Sequence, residues 1–311
     1  MLKKEILFLW DGENFNPNGD MLNDNAPRMD EETGLAEATD VRIKRTIRDE
    51  IIRENPDQIF IKTYEDKDGK ILDAKTAMRE ETKLNIDIKK ANKDEIMEAI
   101  LSNFIDIRAF GGVLPISDNK EKEVKTKSVS FTGPVQFRIS KSLHKVSVKH
   151  IKGAGAFASG SDKDAKTFRE ESFLDYAFFA TYGIFDNNNA KNTNFSEDDA
   201  KKILKALWNG TKNLTTRTKM GQIPRFLLII SYKNNTFTGD LNNLVSINSQ
   251  KEDEAIRSIK DFKINFSNLK EKLELYKNDI EKIEFISDFN FKNLNEDEFD
   301  KSWVEIDVNS L

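Results

Sequence analysis

Apolar residues in this chain come in short bursts, and the bursts change period along its length. The first, KEILFLW at Lys4–Trp10, is a compact apolar run of the kind buried on both faces of a sheet, and it predicts a strand. The next fifteen residues, Asn14–Arg28, read NFNPNGDMLNDNAPR and hold five asparagines, two prolines and a glycine. Neither helix nor sheet continues through such a stretch. It is longer than the usual connection of about 4–6 residues, so it is either slack or a shaped loop. The period then changes to four: Ile43, Ile47 and Ile51 recur in TDVRIKRTIRDEIIRE and predict an amphipathic helix, capped by Asp40 and stopped at Asn55-Pro56. On that helix Lys44, Arg48 and Arg45 share an arc beside the isoleucines, with Arg42 next to Arg45.

Further along, Gln58–Tyr64 predicts a strand turning at Asp66–Gly69, and Ala91–Phe104 an amphipathic helix. Ile105–Leu114 reads as a strand broken at Gly111-Gly112. Lys127–Ser140 is strand-like on both sides of Gly133-Pro134, a bulge or edge position. His144–Ser161 alternates apolar and basic residues and then turns glycine-rich. Phe168–Tyr182 and Ser196–Trp208 predict helices, the second opened by a capping box of Ser196 and Asp199. RFLLIISY, Arg225–Tyr232, is the strongest interior strand. Beyond about Lys251 the chain is acidic and mixes helices with short strands. The order implies an α+β fold with inserted segments, as one elaborated domain or two.

Composition narrows the chemistry. The 311 residues contain no cysteine, which excludes disulfides, thiol nucleophiles and zinc–thiolate sites. No apolar run approaches a membrane span. The first apolar run is followed by acids without a cleavage site, so a buried strand is expected rather than a signal peptide, and a cytoplasmic location follows as the simplest expectation. The net charge is -5 and the pI about 5.4. Taken whole, that opposes a nucleic-acid partner, but the distribution reverses the argument. Val124–Ser161 carries seven lysines and arginines and no acid, and Lys201–Gly239 carries eight and no acid. Local arrangement, not the total, sets the field that a polyanion meets.

Several candidate sites present themselves. His144 and His150, six apart, would share a face of one strand, either meeting RNA or lying as ordinary surface residues. GAGAFASGSD, Gly153–Asp162, has the glycine spacing of a phosphate loop but places Ser161 where the clamping lysine is required, so it reads as a flexible loop or hairpin tip. Asp11, Asp20 and Asp24 could gather for a metal, or could serve turn chemistry alone. The Asn-rich loop delivers the chain into the basic helix, and together they suit a backbone-phosphate grip: amides hydrogen-bond while lysine and arginine neutralise. WNGTKNLTTRTKMGQIPR, Trp208–Arg225, is either a second phosphate-lining loop or a solvated turn.

Four stretches together resemble one family: NPNGDMLNDNAPR (16–28), TDVRIKRTIRDEI (39–51), IDIRAFGGVL with SFTGPVQFRISKSLHKV (105–114 and 130–146), and ALWNGTKNLTTRTKMGQIPR (206–225). They occur in the order of the Cascade backbone subunits of type I (I-B) CRISPR systems, the Csh/Csd-type branch of the RAMP superfamily, over roughly residues 5–245. The resemblance implies a modified ferredoxin-like, RRM-like palm across residues 1–250. It implies inserted fingers at about 60–125 and a protruding thumb hairpin at about 143–169, with 251–311 an acidic segment packed on the palm. It also implies copies polymerising along a CRISPR guide RNA, kinking it periodically and presenting its bases to target DNA, among other Cascade subunits. The expected RNA-binding residues are Asn16, Asn18, Asn23 and Arg28 on the loop, and Arg42, Lys44, Arg45 and Arg48 on the helix. Arg138, Lys141, His144, Lys145, Lys149, Lys152 and Phe157 follow through the thumb, Phe157 as a wedge, and then Lys212, Thr215, Arg217, Lys219 and Arg225. No catalytic residue, cofactor or metal is expected. The rivals are an RNA-cleaving relative using an acidic loop residue, and an interaction protein that meets no RNA.

Overall fold

The computed structural model describes residues 1–73, 76, 77, 84, 86, 91–115, 128–154 and 168–311. The first apolar run becomes a strand longer than its pattern, β1 at Lys3–Phe15. The Asn-rich stretch folds into a small hairpin of β2 (Gly19–Asp20) and β3 (Ala26–Pro27), followed by β4 (Met29–Asp30), β5 (Leu35–Ala38) and helix α1 (Asp40–Glu54). Then come α2 (Lys93–Asn103), α3 (Ile105–Phe110), β6 (Gly111–Pro115), β7 (Ser128–Thr132), β8 (Val135–Phe137) and β9 (Ser140–Lys145). A long hairpin of β10 (Val148–Ala154) and β11 (Phe168–Phe185) leads to α4 (Asn187–Thr193), α5 (Glu197–Lys212) and β12 (Ile223–Tyr232). The last quarter supplies β13 (Ser246–Ser249), β14 (Phe262–Asn265), α6 (Ser267–Leu275), β15 (Ile280–Ser287), α7 (Phe289–Asn295) and β16 (Val304–Glu305).

These strands build a ten-stranded sheet in the order β16-β15-β12-β1-β11-β9-β5-β4, with β8 and β10 also paired to β11. β1 lies at its centre, antiparallel to β11 and β12, while β15 and β16 pair in parallel. Alternation in β1 divides the core. Ile6, Phe8 and Trp10 meet Ile43, Ile47 and Ile51 of α1 and Ile203 and Leu207 of α5. Leu7 and Leu9 share a second core with Ile256, Phe262, Ile264, Phe266, Phe291 and Trp303 from the last quarter. Both faces of β1 are therefore covered, which is why its sequence reads as a continuous apolar run. A satellite cluster of Phe60, Ile96, Ile100, Phe104, Ile107, Leu114, Val129 and Phe131 sits under the segment between α1 and β8.

Three expected elements differ. Phe168–Tyr182 is strand, not helix: it lies inside the 18-residue β11. From Phe173 to Tyr182 nearly every side chain is buried, so no amphipathic period exists to separate strand from helix. Gln58–Tyr64 makes no strand; a 3-10 turn at Pro56–Gln58 precedes Phe60, whose ring joins the satellite cluster. Ile105–Phe110 is a helix, and strand begins only at Gly111. Gly111 has φ +73°, and a Cβ there would lie 2.3 Å from the Phe131 carbonyl oxygen, so the glycine is what permits the change of direction. The cap of α1 is Thr39, whose hydroxyl accepts from the Arg42 N–H, with Asp40 the first helical residue. The capping box of Ser196 and Asp199 forms as expected.

Candidate nucleic-acid-binding surface

The Asn-rich segment is a shaped loop. The Asn18 side-chain oxygen accepts from both the N–H and the hydroxyl of Thr39, at 2.9 Å each, and ties the loop to the start of α1. The Asn16 amide donates to the Asn25 carbonyl at 2.7 Å. Asp20 accepts from the Leu22 N–H and pairs with Arg28 at 3.3 Å. Asn14, Asp24 and Asn25 take positive φ, a conformation that short polar side chains tolerate.

This loop is also the junction for two distant segments. The Asn16 N–H donates to the Thr218 carbonyl at 2.7 Å, and the Lys219 ammonium donates back to the Asn16 carbonyl at 3.2 Å. Lys149 on β10 donates to the Asn14 side chain and pairs with Asp175 at 3.4 Å. Arg217 reaches Glu171 on β11 at 2.6 Å. Four pieces of sequence are thus connected: the loop, the first turn of α1, the 213–222 segment and the base of the β10–β11 hairpin. Burial, with the neighbouring Arg42 charge, pushes the Lys219 ammonium down to about 8. Burial also lowers Arg42.

The expected residues sort by exposure. Asn23, Arg45, Arg138, Lys141, Lys145, Lys152, Lys212, Thr215 and Arg217 are exposed, while Asn18, Arg28, Arg42, Lys44, Lys149 and Lys219 are half-buried. Several exposed cations already have acidic partners: Arg45 with Asp49, Arg138 with Asp240, Lys141 with Asp30 and Glu37, and Lys152 with Glu170. The arc on α1 divides. Lys44 donates to the Gln136 side-chain oxygen at 2.8 Å, pairs with Asp40 at 3.4 Å and lies over the Phe110 ring.

Four of the expected residues are buried. Arg48 is buried and donates to Asp106 at 3.0 Å; the same carboxylate accepts from the Phe60 and Ile61 N–H groups, so the pair anchors the satellite cluster. Arg225 is buried between Asp11 and Asp288, at 2.8 and 2.9 Å. Asn16 is 2 % exposed and acts as the loop clamp just described. His144 is 1 % exposed and packs on Tyr176, with burial lowering its pKa. Its Nε2 accepts from the Phe178 N–H, so Nδ1 carries the proton and donates to the Lys145 carbonyl. The two histidines also lie on different strands, β9 and β10. Phe157 and most of GAGAFASGSD, from Gly155 onward, lie outside the described residues.

Of the candidate metal carboxylates, Asp11 and Asp20 are engaged elsewhere, Asp20 with Arg28 as described. Asp11 is buried against Arg225 and the Tyr176 hydroxyl, and burial raises it to about 6. No group of three or more potential metal ligands occurs among the described residues. Sequence reasoning missed Asn14, whose side chain meets Lys149, and Gln222, which is 4 % exposed and holds an unpartnered amide nitrogen. It also missed Arg257, which reaches Asp175 at 3.3 Å from the acidic last quarter, where no local pattern signalled it.

A large mixed sheet covered on both faces, with a long hairpin continuing from the strand beside β1, defines an α+β scaffold that solved structures share. Two chains described as "CRISPR RNA-guided surveillance complex", one of them pre-nicking, superimpose with TM-scores of 0.58 and 0.55. Each is 12% identical, and the matches cover 99% of this chain and 98% and 97% of theirs. In sequence, residues 2–267 match the family described as CRISPR-associated protein Cas7. A protein of that description from Haloferax volcanii is 31% identical over 307 residues, covering 92% of this chain and 87% of the relative. The chain belongs to the Cas7 family, in agreement with the four stretches that resembled Cascade backbone subunits.

Proposed function

We propose that this chain is the backbone subunit of a type I RNA-guided surveillance complex, and that it holds the guide RNA by its phosphates. The observation that carries this reading is the convergence at the Asn14–Arg28 loop. The loop touches Lys149 on β10 and Lys219 on the 213–222 segment directly, and it is tied through Thr39 to the start of α1, which carries Arg42, and through Thr218 to the neighbour of Arg217. These groups suit phosphate and sugar, which position a strand without reading its sequence, and they leave base edges for a target strand. In the family's terms, the main sheet with α1 and α5 is the ferredoxin-like palm, the β10–β11 hairpin the thumb, and the satellite-cluster region the fingers. Copies of the chain repeat along the guide, beside other subunits, and target DNA is met through the guide. The role is non-catalytic: of the candidate metal carboxylates, Asp20 braces the loop through Arg28 and Asp11 on β1 holds Arg225 of β12.

The test uses exposed or hinge cations and spares the buried ones. Replacing Arg45, Lys149 and Arg217 with alanine weakens binding of single-stranded RNA of any sequence. It also flattens the dependence of log K on log salt by about 0.7 for each phosphate that is no longer neutralised. An unchanged affinity and slope in the triple variant overturns the reading. Incubation of the wild-type chain with complementary RNA and a divalent cation leaves that RNA intact; periodic cleavage would favour the RNA-cleaving rival.

A further inference from the structure

At the foot of the β10–β11 hairpin, two cations from different parts of the chain share one carboxylate. Asp175 lies where β11 parts from β10, one residue past the Leu174–Val148 pair, and before β11 meets β9 at Phe179 and Ser142. Its N–H donates to the Ser147 carbonyl at 3.0 Å, which fixes its backbone. One carboxylate oxygen lies 3.4 Å from the Lys149 ammonium, and the other lies 3.3 Å from the Arg257 guanidinium. The two cations are held differently. Lys149 is a compact charge on a flexible stem, and its ammonium also donates to the Asn14 side chain. Arg257 is fixed on the last quarter of the chain. Its N–H donates to Asp261 at 2.8 Å, and its Nη1 donates to the Glu254 carbonyl and, at 2.9 Å, to the Ile256 carbonyl. Nη2 is the nitrogen that faces Asp175. Asp253, in the same turn as Glu254, accepts from the Lys145 N–H at 2.9 Å and so ties that turn to the strand before the hairpin.

We propose that Arg257 is a positioning residue for RNA binding: it stays on Asp175 and so frees Lys149 to pass from that carboxylate to a backbone phosphate. This rests on the guide-RNA reading and adds to it a part played by the acidic last quarter. A phosphate that gains Lys149 takes it from Asp175. With Arg257 in place, the carboxylate keeps a counter-charge when the lysine leaves. Without Arg257, departure of the lysine strands a half-buried acid beside an incoming anion, so Asp175 holds Lys149 back. Arginine suits this post. It is charged at every pH where the protein folds, and its planar fork serves two carbonyls and a carboxylate at once. The two cations take separate oxygens of Asp175, so one can leave without disturbing the other.

The experiment is a double-mutant cycle on the full-length chain: wild type, Arg257→Ala, Asp175→Asn and the double variant. Each is titrated by fluorescence anisotropy with a labelled oligoadenylate of about 20 nucleotides, at about 50 mM and about 200 mM salt. Arg257→Ala is expected to weaken binding by about two- to fivefold at the lower salt and by less at the higher. Asp175→Asn binds at least as tightly as the wild type, because nothing restrains Lys149. The double variant matches Asp175→Asn, so the loss disappears once the carboxylate is gone. That rescue is what a purely structural role for Arg257 would not give. A loss of the same size in the Asp175→Asn background means that Arg257 meets the RNA itself or acts through folding, and overturns the proposal. So does equal binding by wild type and Arg257→Ala, or binding by Asp175→Asn that is weaker than wild type. Each of these three results leaves the guide-RNA reading standing; failure of the wild-type chain to bind the oligoadenylate at the lower salt overturns both.

Discussion

Arg45 and Arg48 stand one turn apart on the same helix with opposite surroundings. Arg45 is exposed beside Asp49, an arrangement worth little to stability. Arg48 is buried against Asp106, which has no exposure and also holds the Phe60 and Ile61 N–H groups. Removing one partner of a buried pair strands the other charge, so Arg48→Ala costs about 3–5 kcal/mol in urea unfolding, while Arg45→Ala stays within about 0.5 kcal/mol. A matched drop for both substitutions would contradict this. The sequence could not separate them. Helical period places both arginines beside the isoleucine face, and what buries one is an aspartate 58 positions away that no local pattern connects to it. His144 was hidden in the same way: its run looks basic and exposed, but its imidazole is buried and stacks on Tyr176 of the neighbouring strand β11.

At the scale of elements, legibility followed amphipathicity. α1, α2 and α5 each have one wet face, and their periods showed in the sequence along with the Ser196 capping box. β11 has no wet face over its second half, and an apolar stretch buried on all sides carries no period to read. The α1–α5 contact makes a sharper test than either helix alone. Gly210 of α5 lies so close to α1 that a Cβ would sit 2.8 Å from the Thr46 carbonyl oxygen and 3.0 Å from the Glu50 Cβ. In an isolated helix Gly→Ala is favourable by about 1 kcal/mol. Here Gly210→Ala is expected to lose about 1–3 kcal/mol, because the helices must separate to admit the methyl group, and the melting temperature should fall accordingly. A rise in melting temperature would mean that the helices shift apart without cost.

Across the whole molecule, the acidic last quarter is structural as well as electrostatic. Its Phe262, Phe266, Phe291 and Trp303 cover the face of the sheet opposite α1, and its β15 extends the sheet beside β12. It also reaches the hairpin base, where Asp253 accepts from the Lys145 N–H at 2.9 Å and Arg257 meets Asp175. A chain ending at Gln250 therefore bares the second core, and it is expected to be recovered in aggregates or to bind a hydrophobic dye strongly. A soluble, dye-silent, cooperatively melting truncation would show that the last quarter is an appendage. The family was legible from residues 16–225 because its signature lies in loops and basic segments, which keep their character wherever the chain packs. The contribution of 251–311 was not legible: its surface charges dominate the composition, and its aromatic residues are spaced too irregularly to announce one face.

The position of β1 has a consequence for how the molecule comes into being. Its two neighbours in the sheet are β11 and β12, so this apolar segment leaves the ribosome well before either of them and gains its last partner only after Tyr232 has emerged. Until β11 emerges ILFLW lacks both edge partners, and until β12 emerges it lacks one, the condition in which nascent chains stick to one another or recruit chaperones. The same delay means that no unfinished copy can offer the junction of Asn16, Thr218 and Lys219 to a nucleic acid, so grip is withheld until synthesis has passed the middle of the chain.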